Sequence, residues 1–360
     1  MSSLWAHNIS ISLFGESHGA AIGVVIDGLP PGEDIDMERV GTFLARRAAR
    51  DDLISTQRQE PDVPQVLSGL FEGHTTGTPL CAMIANTDTR SADYRNVTSL
   101  ARPGHADYTG FVRYKGANDV RGGGHFSGRL TAPLVFAGAV CAQILERRGI
   151  VVGAHIRSIS GVEDTPFDPV AVNAQTLHAI AAKRFPTGDD DRGAKMRALI
   201  NDARMDCDSV GGIVECAAVG LPAGIGSPMF DGLENLIASL VFGIPAVRGI
   251  EFGTGFASAT MMGSEHNDPF YTDTDGTVRT RTNHHGGILG GISSGMPLLF
   301  RVAFKPTASI SREQETIDYR AGGDASILVK GRHDPCIVPR AVPCVEAAAS
   351  IALLGALLDI

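Results

Sequence analysis

Hydrophobic and polar positions along the chain follow two periods, one typical of strands and one typical of helices. Alternating or continuous apolar runs of strand length occur at residues 8–15, 21–30, 65–73, 79–86, 151–159, 210–220, 246–253 and 297–304. Helical periodicity predicts helices at residues 36–50, 130–148, 170–184, 192–205, 231–244 and 345–358. Asp36 is the expected N-cap of the first of these helices.

The order of these elements predicts an α+β fold in a single domain covering residues 1–360. Strands often come in pairs before a helix rather than in strict alternation with helices, which favours antiparallel sheets packed on helices. The two runs within residues 65–86 are typical of a hairpin. No proline- or serine-rich linker and no exact internal repeat divides the chain.

Two long stretches lack a regular period. Residues 86–129 are rich in glycine and charge, and residues 256–285 are polar and irregular. Long loops inside a compact domain are usually functional or disordered. The many single charges and aromatic side chains of the first stretch favour a functional loop.

Composition and charge narrow the class of ligand. The chain is 43% hydrophobic and 20% charged, which indicates a globular core. Its formal net charge of −9 argues against nucleic-acid binding. Arginine is nevertheless concentrated in residues 46–58 and 102–129. An acidic protein with local basic clusters fits a small anionic ligand better than a polyanion.

Cysteine usage and apolar runs predict the compartment. The six cysteines form no C-x-x-C motif, as is usual for reduced thiols of a cytoplasmic protein. The N-terminal residues do not have the pattern of a secretory signal. The longest apolar runs, Leu130–Leu145 and Ala347–Leu358, are shorter than the roughly 20 residues of a membrane span. We therefore expect a cytoplasmic protein without a membrane segment.

The segment RGGGHFSGRLTA, residues 121–132, approaches a phosphate-binding loop in its spacing. Gly123 and Gly128 have the spacing of the G-x-x-x-x-G-K-[ST] motif, but Arg129 and Leu130 follow, so the Mg²⁺-binding hydroxyl is missing. No predicted buried strand precedes it, and G-x-G-x-x-G follows none of the predicted strands. A nucleotide site is therefore not expected, although a glycine-rich turn before a helix suits an anion.

Histidines recur in glycine-rich polar contexts, at His18, His105, His284, His285 and His333. Their spacing does not match that of zinc ligands, so no metal site is expected. Acid–base catalysis or phosphate contact is favoured instead. Ser17 lies in a G-x-S-x-G match, but a predicted strand follows where a serine hydrolase needs a helix.

The segment FKPTASI, residues 304–310, ends a predicted strand with Lys305, Thr307 and Ser309. Such a cluster suits the oxygen atoms of a phosphate or a flavin. Taken alone, it is explained better as an ordinary strand-end turn whose lysine reaches solvent.

Together these motifs resemble those of the chorismate synthase family. The resemblance extends over the whole chain in the family's order, through FGESHG (14–19), STQRQEPD (55–62), FEGHTTGTP (71–79), NTD-RS-DY (86–94), RPGHADYT (102–109), RGGG (121–124), NHHGGILGGISSG (283–295), KPTASI (305–310) and GRHDPCIVPRAVP (331–343). Several of these motifs are long and unusual, so the match is specific.

The resemblance implies a lyase that converts 5-enolpyruvylshikimate 3-phosphate to chorismate and phosphate. It also implies a single-domain β-α-β sandwich, a homotetramer and the cofactor reduced FMN (FMNH2). The C6 proton lost in this 1,4-elimination is barely acidic, which explains the need for an electron-rich cofactor. We expect NADPH to act only as an indirect reductant, through an external reductase.

The family's site residues are carried over position by position. By similarity, His18 protonates the leaving phosphate, His105 tunes the protonation of the flavin, and Asp334 serves the removal of the C6 proton. Arg46 and Arg47 bind substrate or NADP. The residues expected at the FMN are His125, Phe126, Ser127, Ala246, Gly290, Lys305, Pro306, Thr307, Ala308, Ser309 and Arg332.

The chain departs from the family at three places. After RGGG the family commonly has Arg-Ser-Ser and then Glu-Thr, whereas residues 125–127 are His-Phe-Ser and Leu130 precedes Thr131. Leu53 stands at an arginine position, for which Arg50 is a possible substitute. Two alternatives stay open: a phosphatase or phosphotransferase using the glycine-rich loop, and a flavin- or anion-binding protein without turnover.

Overall fold

Two five-stranded antiparallel sheets enclose a layer of helices. The structure, a computed structural model, describes residues 3–49, 61–87, 99–329 and 333–359. Sheet 1 contains, in spatial order, β1 (Leu4–Ala6), β2 (Ser10–Gly15), β3 (Ala21–Asp27), β7 (Leu80–Ala85) and β4 (Pro64–Ser68). Sheet 2 contains β9 (Val162–Glu163), β8 (Val151–Ile159), β10 (Gly212–Val219), β16 (Leu298–Phe304) and β11 (Val247–Phe252).

The remaining strands form short hairpins, and the helices lie between and outside the sheets. The hairpins are β5 (Leu70–Phe71) with β6 (His74–Thr75), β12 (Phe270–Thr272) with β13 (Val278–Thr280), β14 (Ile288–Leu289) with β15 (Ile292–Ser293), and β17 (Glu313–Ile317) with β18 (Asp324–Leu328). The helices are α1 (Met37–Arg47), α2 (Asp107–Arg113), α3 (Thr131–Glu146), α4 (Ala174–Ala181), α5 (Asp190–Met205), α6 (Leu233–Val241), α7 (Gly263–His266) and α8 (Val338–Leu357).

The four long strands of each half have the same order in their sheet, although the edge strand β1 precedes its neighbour in the chain and β9 follows its neighbour. In each sheet a short edge strand is followed by the first, second, fourth and third long strands of that half. The second and third long strands are joined through α1 in the first half and through α6 in the second. The long helices α3 and α8 each close one half and pack against each other. The two halves thus share an order of strands, but their sequences contain no exact repeat.

The core lies between the two sheets and around α3 and α8. Helix α3 is apolar on all sides, and its residues from Thr131 to Cys141 are all buried. It contacts β3 of sheet 1, while α8 contacts β8 and β10 of sheet 2. A helix buried on every face is expected at the centre of a large core. The α+β prediction and the β-α-β sandwich are confirmed.

Most predicted elements are present, with shifted ends. The Asp36 carboxylate accepts from the backbone N–H groups of Glu38 and Arg39, as its predicted role as N-cap requires. The predicted 65–86 hairpin is present as the antiparallel pair of β4 and β7. The helix predicted at 170–184 begins only at Ala174, because Asn173 caps it through its side chain.

The C-terminal helix is longer than the predicted 345–358. It begins at Val338 and passes through Pro343. Pro339 lies in the first turn, where its missing N–H has no intrahelical partner to lose. Pro343 removes one hydrogen bond, and the burial of Val338, Ala341 and Val342 compensates for that loss.

The irregular stretches contain short elements that periodicity missed. Helix α2 lies within residues 86–129, and α7 and the β12–β13 hairpin lie within residues 256–285. Each is too short and too exposed to impose an apolar period on the sequence. The prediction of irregular structure was therefore wrong for these segments.

Two helical segments of the described chain are apolar and long enough to cross a membrane. They are Gly128–Glu146 and Val338–Leu357, the second being longer than its predicted apolar run because of residues 338–346. In both, 89% of the apolar stretch is buried inside the molecule. The length and apolar composition of these two helical segments are thus explained by their position in the core.

A buried histidine between two carboxylates ties sheet 2 together. His155 Nδ1 lies 2.8 Å from Asp164 Oδ2, and its Nε2 lies 2.9 Å from Glu215 Oε2. Burial by itself lowers the pKa of His155, but the hydrogen bonds and charges of both carboxylates outweigh burial and raise it. The sequence analysis did not single out this histidine, because it lies within the apolar run that predicts β8.

Candidate active site

The tight turn between β2 and β3 carries His18 and is fixed from two sides. His18 is 8% exposed, and Ser17 beside it is fully buried. The Ser17 backbone N–H donates to the Gly124 carbonyl at 3.1 Å. The side-chain amide of Asn86 donates to two carbonyls of residues 16–19, at 3.0 and 2.9 Å. The imidazole of His18 is therefore held by a rigid backbone.

The triglycine segment, Gly122–Gly124, lies between two predicted catalytic histidines. Its φ angles are 60°, 86° and 56°, a region that glycine adopts without steric cost. A Cβ on Gly122 would lie 2.5 Å from Cδ2 and 2.6 Å from Nε2 of His18. A Cβ on Gly123 would lie 3.2 Å from Nε2 of His105. The bare backbone of two adjacent glycines thus brings His18 and His105 together.

His105 is oriented by a buried carboxylate. Its Nδ1 lies 2.7 Å from Asp107 Oδ1, so Nδ1–H donates and Nε2 faces Gly123. Arg102 binds Asp107 through Nε and Nη2, both at 2.8 Å. Burial and the charges of Arg102 and Lys305 lower the pKa of His105, outweighing Asp107. The ring is therefore neutral at neutral pH, and its acceptor nitrogen Nε2 lies between the triglycine segment and Arg102 Nη2, which is 3.3 Å away.

The arginine that holds Asp107 also reaches the segment after β16. Arg102 Nη1 donates to Ser309 Oγ at 3.2 Å. The Nζ of Lys305 lies 3.8 Å from the position that a Cβ on Gly104 would take. Burial and the charge of Arg248 lower the pKa of Lys305. Residues 305–309 and 102–107 therefore form one positively charged wall.

Thr307 places a buried hydroxyl in this wall. Its Oγ1 has no hydrogen-bond partner among the described residues, whereas its carbonyl accepts from Ser209 Oγ at 2.8 Å. Ala246 adopts the left-handed φ of 74° and its carbonyl accepts from the Lys305 N–H at 3.0 Å. A buried hydroxyl without a partner is costly, and one at a site indicates a ligand contact.

A second group of charges surrounds Asp62, next to the His18 turn. Asp62 is 3% exposed and forms ion pairs with both Arg47 and Arg129. Burial alone would raise the pKa of Asp62, but the two arginines hold it below the usual range. Arg129 Nε also donates to Asn86 Oδ1 at 3.1 Å. Through Asn86 the charge group is tied to the His18 turn.

Two other predicted residues are bound to α8. The guanidinium of Arg46 pairs with both carboxylate oxygens of Glu346, at 2.5 and 2.7 Å. Asp334 Oδ2 accepts from Arg340 Nη1 at 2.5 Å, and Arg340 Nε donates to the Arg47 carbonyl at 2.9 Å. Asp334 is thus joined to the Asp62 group through Arg340, while Arg46 faces the core helix.

The residues predicted next to the triglycine segment have structural contacts. His125 Nδ1 donates to the Gly15 carbonyl at 2.8 Å, and its Nε2 lies 2.5 Å from Ser3 Oγ. Ser127 Oγ accepts from the Arg129 N–H at 3.3 Å, and the Phe126 ring packs near Tyr114. His125 therefore fastens the start of the β2–β3 turn.

Two predicted cofactor residues are not brought to this cluster by the described contacts. Gly290 lies in the β14–β15 turn, and its neighbour Gly291 packs against Ser227 and Gly232. Arg332 lies outside the described residues, as do Arg50, Leu53 and most of the motifs at 55–62 and 86–94.

Replacing His125 by alanine distinguishes a flavin contact from a positioning role. We expect His125→Ala to lower kcat by roughly tenfold or less, because one hydrogen bond holding the His18 turn is lost. Flavin affinity should stay within about twofold, and Ser3→Ala, which keeps the bond to Gly15, should keep wild-type kcat. Steady-state kinetics and flavin titration measure both. A large loss of flavin affinity with unchanged kcat would contradict this expectation.

Sequence reasoning missed Asn86, Asp62 and Asp107 as functional residues. All three are buried or half-buried polar side chains that position the predicted ones. Their signal was present, since each falls within a motif of the family. Nothing in residue type alone separates a carboxylate that holds an arginine from one that faces solvent.

The fold and the cluster define a positively charged site, with two histidines beside it, that suits small anionic substrates. The described residues include no group of three or more side chains that could hold a metal ion. The buried imidazole of His18 and the half-buried imidazole of His105 flank one peptide, and the arginines and Lys305 supply the charge that anions require.

Comparison with known proteins gives the family. The chorismate synthase family profile matches residues 9–358. The chain is 48% identical to the chorismate synthase of Pyrococcus abyssi over 351 residues, 97% of this chain and 96% of the relative. For that of Cyanothece sp. the identity is 43% over 359 residues, 99% and 97%. A crystal structure of chorismate synthase matches with a TM-score of 0.76 and 26% identity, over 99% of this chain and 93% of that one.

The chain belongs to the chorismate synthase family. It is a lyase that converts 5-enolpyruvylshikimate 3-phosphate to chorismate and phosphate by 1,4-elimination, the last common step of aromatic amino-acid biosynthesis. The resemblance found in the sequence motifs is confirmed.

Proposed function

We propose that the elimination takes place at the triglycine segment, with reduced FMN bound against His105 and residues 305–309. The carrying observation is the contact of Gly122 with His18 and of Gly123 with His105. The side chains of His18 and His105 therefore lie against two adjacent glycines of the same segment. The assigned roles of these residues come from the family resemblance.

The residues present fit an anionic flavin. Lys305 is half-buried, and its described hydrogen bond goes to the Pro306 carbonyl at 3.3 Å rather than to a carboxylate. The buried Thr307 Oγ1 lacks a partner among the described residues. A half-buried ammonium and an unsatisfied hydroxyl both gain from an anionic, hydrogen-bonding ligand. Reduced FMN held by these residues would supply electron density for the loss of phosphate, without net redox change.

The arginines of the Asp62 group are proposed to bind the substrate. 5-Enolpyruvylshikimate 3-phosphate carries two carboxylates and a phosphate, all of which arginine binds in bidentate geometry. Arg47 and Arg129 both pair with the carboxylate of Asp62, which brings two guanidinium groups close to each other. Its burial keeps out water and strengthens each interaction. Arg46 pairs with Glu346 and lies next to Arg47 at the end of α1.

Proton transfer is divided among three side chains. His18, next to the bare backbone of Gly122, donates a proton to the departing phosphate. His105 is held neutral, with Nδ1–H on Asp107, and its Nε2, 3.3 Å from Arg102 Nη2, faces Gly123. Asp334, oriented by Arg340, serves the removal of the C6 proton.

A Thr307→Val substitution tests the flavin site because it should weaken flavin binding without lowering the stability of the free protein. The change removes an unsatisfied buried hydroxyl, so the free protein should be as stable as the wild type or more stable. Reduced FMN should bind roughly tenfold more weakly, by the loss of one hydrogen bond. Thermal unfolding without flavin and anaerobic titration with dithionite-reduced FMN measure the two effects.

The control is Thr42→Val, on the exposed face of α1, which should leave flavin affinity unchanged. Phosphate release from 5-enolpyruvylshikimate 3-phosphate is followed in the same anaerobic samples. Activity that needs no flavin would overturn the cofactor assignment. Equal flavin affinity in Thr307→Val and wild type would remove Thr307 from the site.

Further properties extend this proposal. NADPH acts only through an external reductase, so NADPH with oxidised FMN should give no turnover without one.

A homotetramer is supported by highly exposed apolar side chains such as Phe230 and Phe256, 83% and 84% exposed, and light scattering measures it. The cysteines are all free, which supports a cytoplasmic location. One continuous apolar core across both sheets supports a single domain.

A further inference from the structure

A second group of reactive side chains lies in the connection between β11 and β16. Ser294 Oγ lies 2.8 Å from Nε2 of His285, and Nδ1 of His285 is hydrogen-bonded to Asp268 Oδ2. Hydroxyl, imidazole and carboxylate thus form a chain in the order used by serine nucleophiles. The described contacts do not bring this part of the chain, which includes the predicted cofactor residue Gly290, to the triglycine segment.

The two sites lie at opposite ends of β16. Lys305 follows its last residue, whereas Ser294 precedes its first residue, Leu298. A strand of this length separates its ends by about 20 Å. Ser294 therefore does not share substrate with the triglycine segment, and a role for it needs its own chemistry.

Asp268 fixes both the orientation and the tautomer of His285. Its carboxylate accepts from the backbone N–H groups of His284 and His285, at 2.9 and 3.0 Å, and from Thr282 Oγ1 at 2.6 Å. Burial raises the pKa of Asp268, but these hydrogen bonds outweigh burial and hold it far below the usual range. A carboxylate that stays ionised keeps the proton of His285 on Nδ1, so Nε2 must accept.

The hydroxyl of Ser294 is poised to give its proton to His285. The Met296 N–H points at Ser294 Oγ from 3.4 Å, which leaves the hydroxyl hydrogen for Nε2. Ser294 is half-buried, and the next residue, Gly295, is exposed, so small reagents have access. The Ser294 N–H donates to the Gly287 carbonyl at 2.9 Å and does not serve as an oxyanion donor. The arrangement activates a nucleophile but stabilises a tetrahedral intermediate weakly.

We propose that Ser294 is an activated serine that accepts acyl groups from activated esters, with His285 as general base and Asp268 as its orienting residue. In the step, Ser294 Oγ forms a bond to the acyl carbon and its proton passes to His285 Nε2. The bond from the acyl carbon to the leaving oxygen breaks, and the leaving group takes the proton from His285. Water then hydrolyses the acyl-serine by the same route, releasing the acid.

A fluorophosphonate probe tests this assignment on the full-length protein. Ser294 displaces fluoride, so the probe remains covalently on Oγ and peptide mass spectrometry locates it. We expect Ser294 to be labelled faster than any other serine of the wild type, and p-nitrophenyl acetate to be hydrolysed slowly. Label on other serines only, or no label, would overturn the proposal without any variant being made.

Variants of two adjacent histidines distinguish a Ser294 hydroxyl that is activated by His285 from one that is merely exposed to solvent. His285→Gln keeps a polar side chain but removes the base, and labelling of Ser294 should fall roughly 100-fold or more. His284→Gln changes the adjacent residue, whose ring lies 3.0 Å from Asp268 but is not bonded to Ser294. Its labelling rate should stay within about threefold of wild type. Equal rates in His285→Gln and wild type would show a hydroxyl that is merely exposed.

Discussion

Replacing Gly122 by alanine should reduce chorismate formation by about 100-fold or more while the protein stays folded. The new Cβ would lie 2.5 Å from Cδ2 and 2.6 Å from Nε2 of His18, and 2.9 Å from Ser17 Oγ. Since real Cβ atoms do not approach other heavy atoms so closely, the His18 ring must move. The displaced ring, the proposed general acid, no longer reaches the leaving phosphate.

The folding cost of the same substitution is much smaller. Alanine in the left-handed region costs roughly 1–2 kcal/mol, which lowers thermal stability without unfolding the chain. Gly128→Ala is the control in the same loop, because a Cβ there meets nothing within 4 Å. Its activity should be close to that of the wild type. Circular dichroism and anaerobic phosphate release compare the two variants.

A double-mutant cycle tests whether Gly122 acts through His18. In a His18→Ala background the ring that the new methyl group would strike is absent, so Gly122→Ala should cost little further activity. If the two losses multiplied instead, the methyl group would be acting on the cofactor or the substrate, and the proposed role of Gly122 would be wrong.

The motifs predicted the two histidines but not their distance from each other. His18 and His105 are far apart in sequence, and each carries the glycine-rich context of a loop. What joins them is the left-handed backbone of Gly122 and Gly123, and a run of three glycines predicts backbone freedom without saying which side chains it will meet. Tertiary contacts of loops are the part of a site that local sequence does not encode.

Arg46 and Arg47 show the same limit on a helix. Both end α1, and their adjacency in sequence suggested one role. Adjacent helical residues point in different directions, so Arg46 meets Glu346 on α8 while Arg47 meets Asp62. The sheets and long helices were predicted well because their apolar period reflects the burial that forms them. The duplicated topology was not, since the two halves share an order of strands and no repeated residues.

Replacing Asp62 by asparagine should destabilise the protein by about 3–5 kcal/mol, the usual effect of removing one partner of a buried ion pair. Arg47 and Arg129 are 5% and 4% exposed in their side chains and would face each other without the shared carboxylate. Their repulsion should also separate the two guanidinium groups proposed to bind substrate, so KM should rise. Urea unfolding and steady-state kinetics measure both changes.

The difference between wild type and Asp62→Asn should depend on pH in a defined direction. The pKa of Asp62 is lower in the folded protein than its value of about 3.9 in the unfolded chain. The stabilisation from its charge is therefore complete above the unfolded value and is lost as the pH falls through the folded one. Unfolding free energies of the two proteins should differ most at neutral pH and converge in acid.

Asp190→Asn is the matched control for this measurement. Asp190 pairs with Lys183 at 2.8 Å, but its side chain is 83% exposed, and an exposed pair contributes less than about 1 kcal/mol. A loss for Asp62→Asn as small as that of Asp190→Asn would mean that water reaches the arginines of the Asp62 group. The arginines proposed to bind substrate would then lack the low-dielectric surroundings that strengthen their interactions.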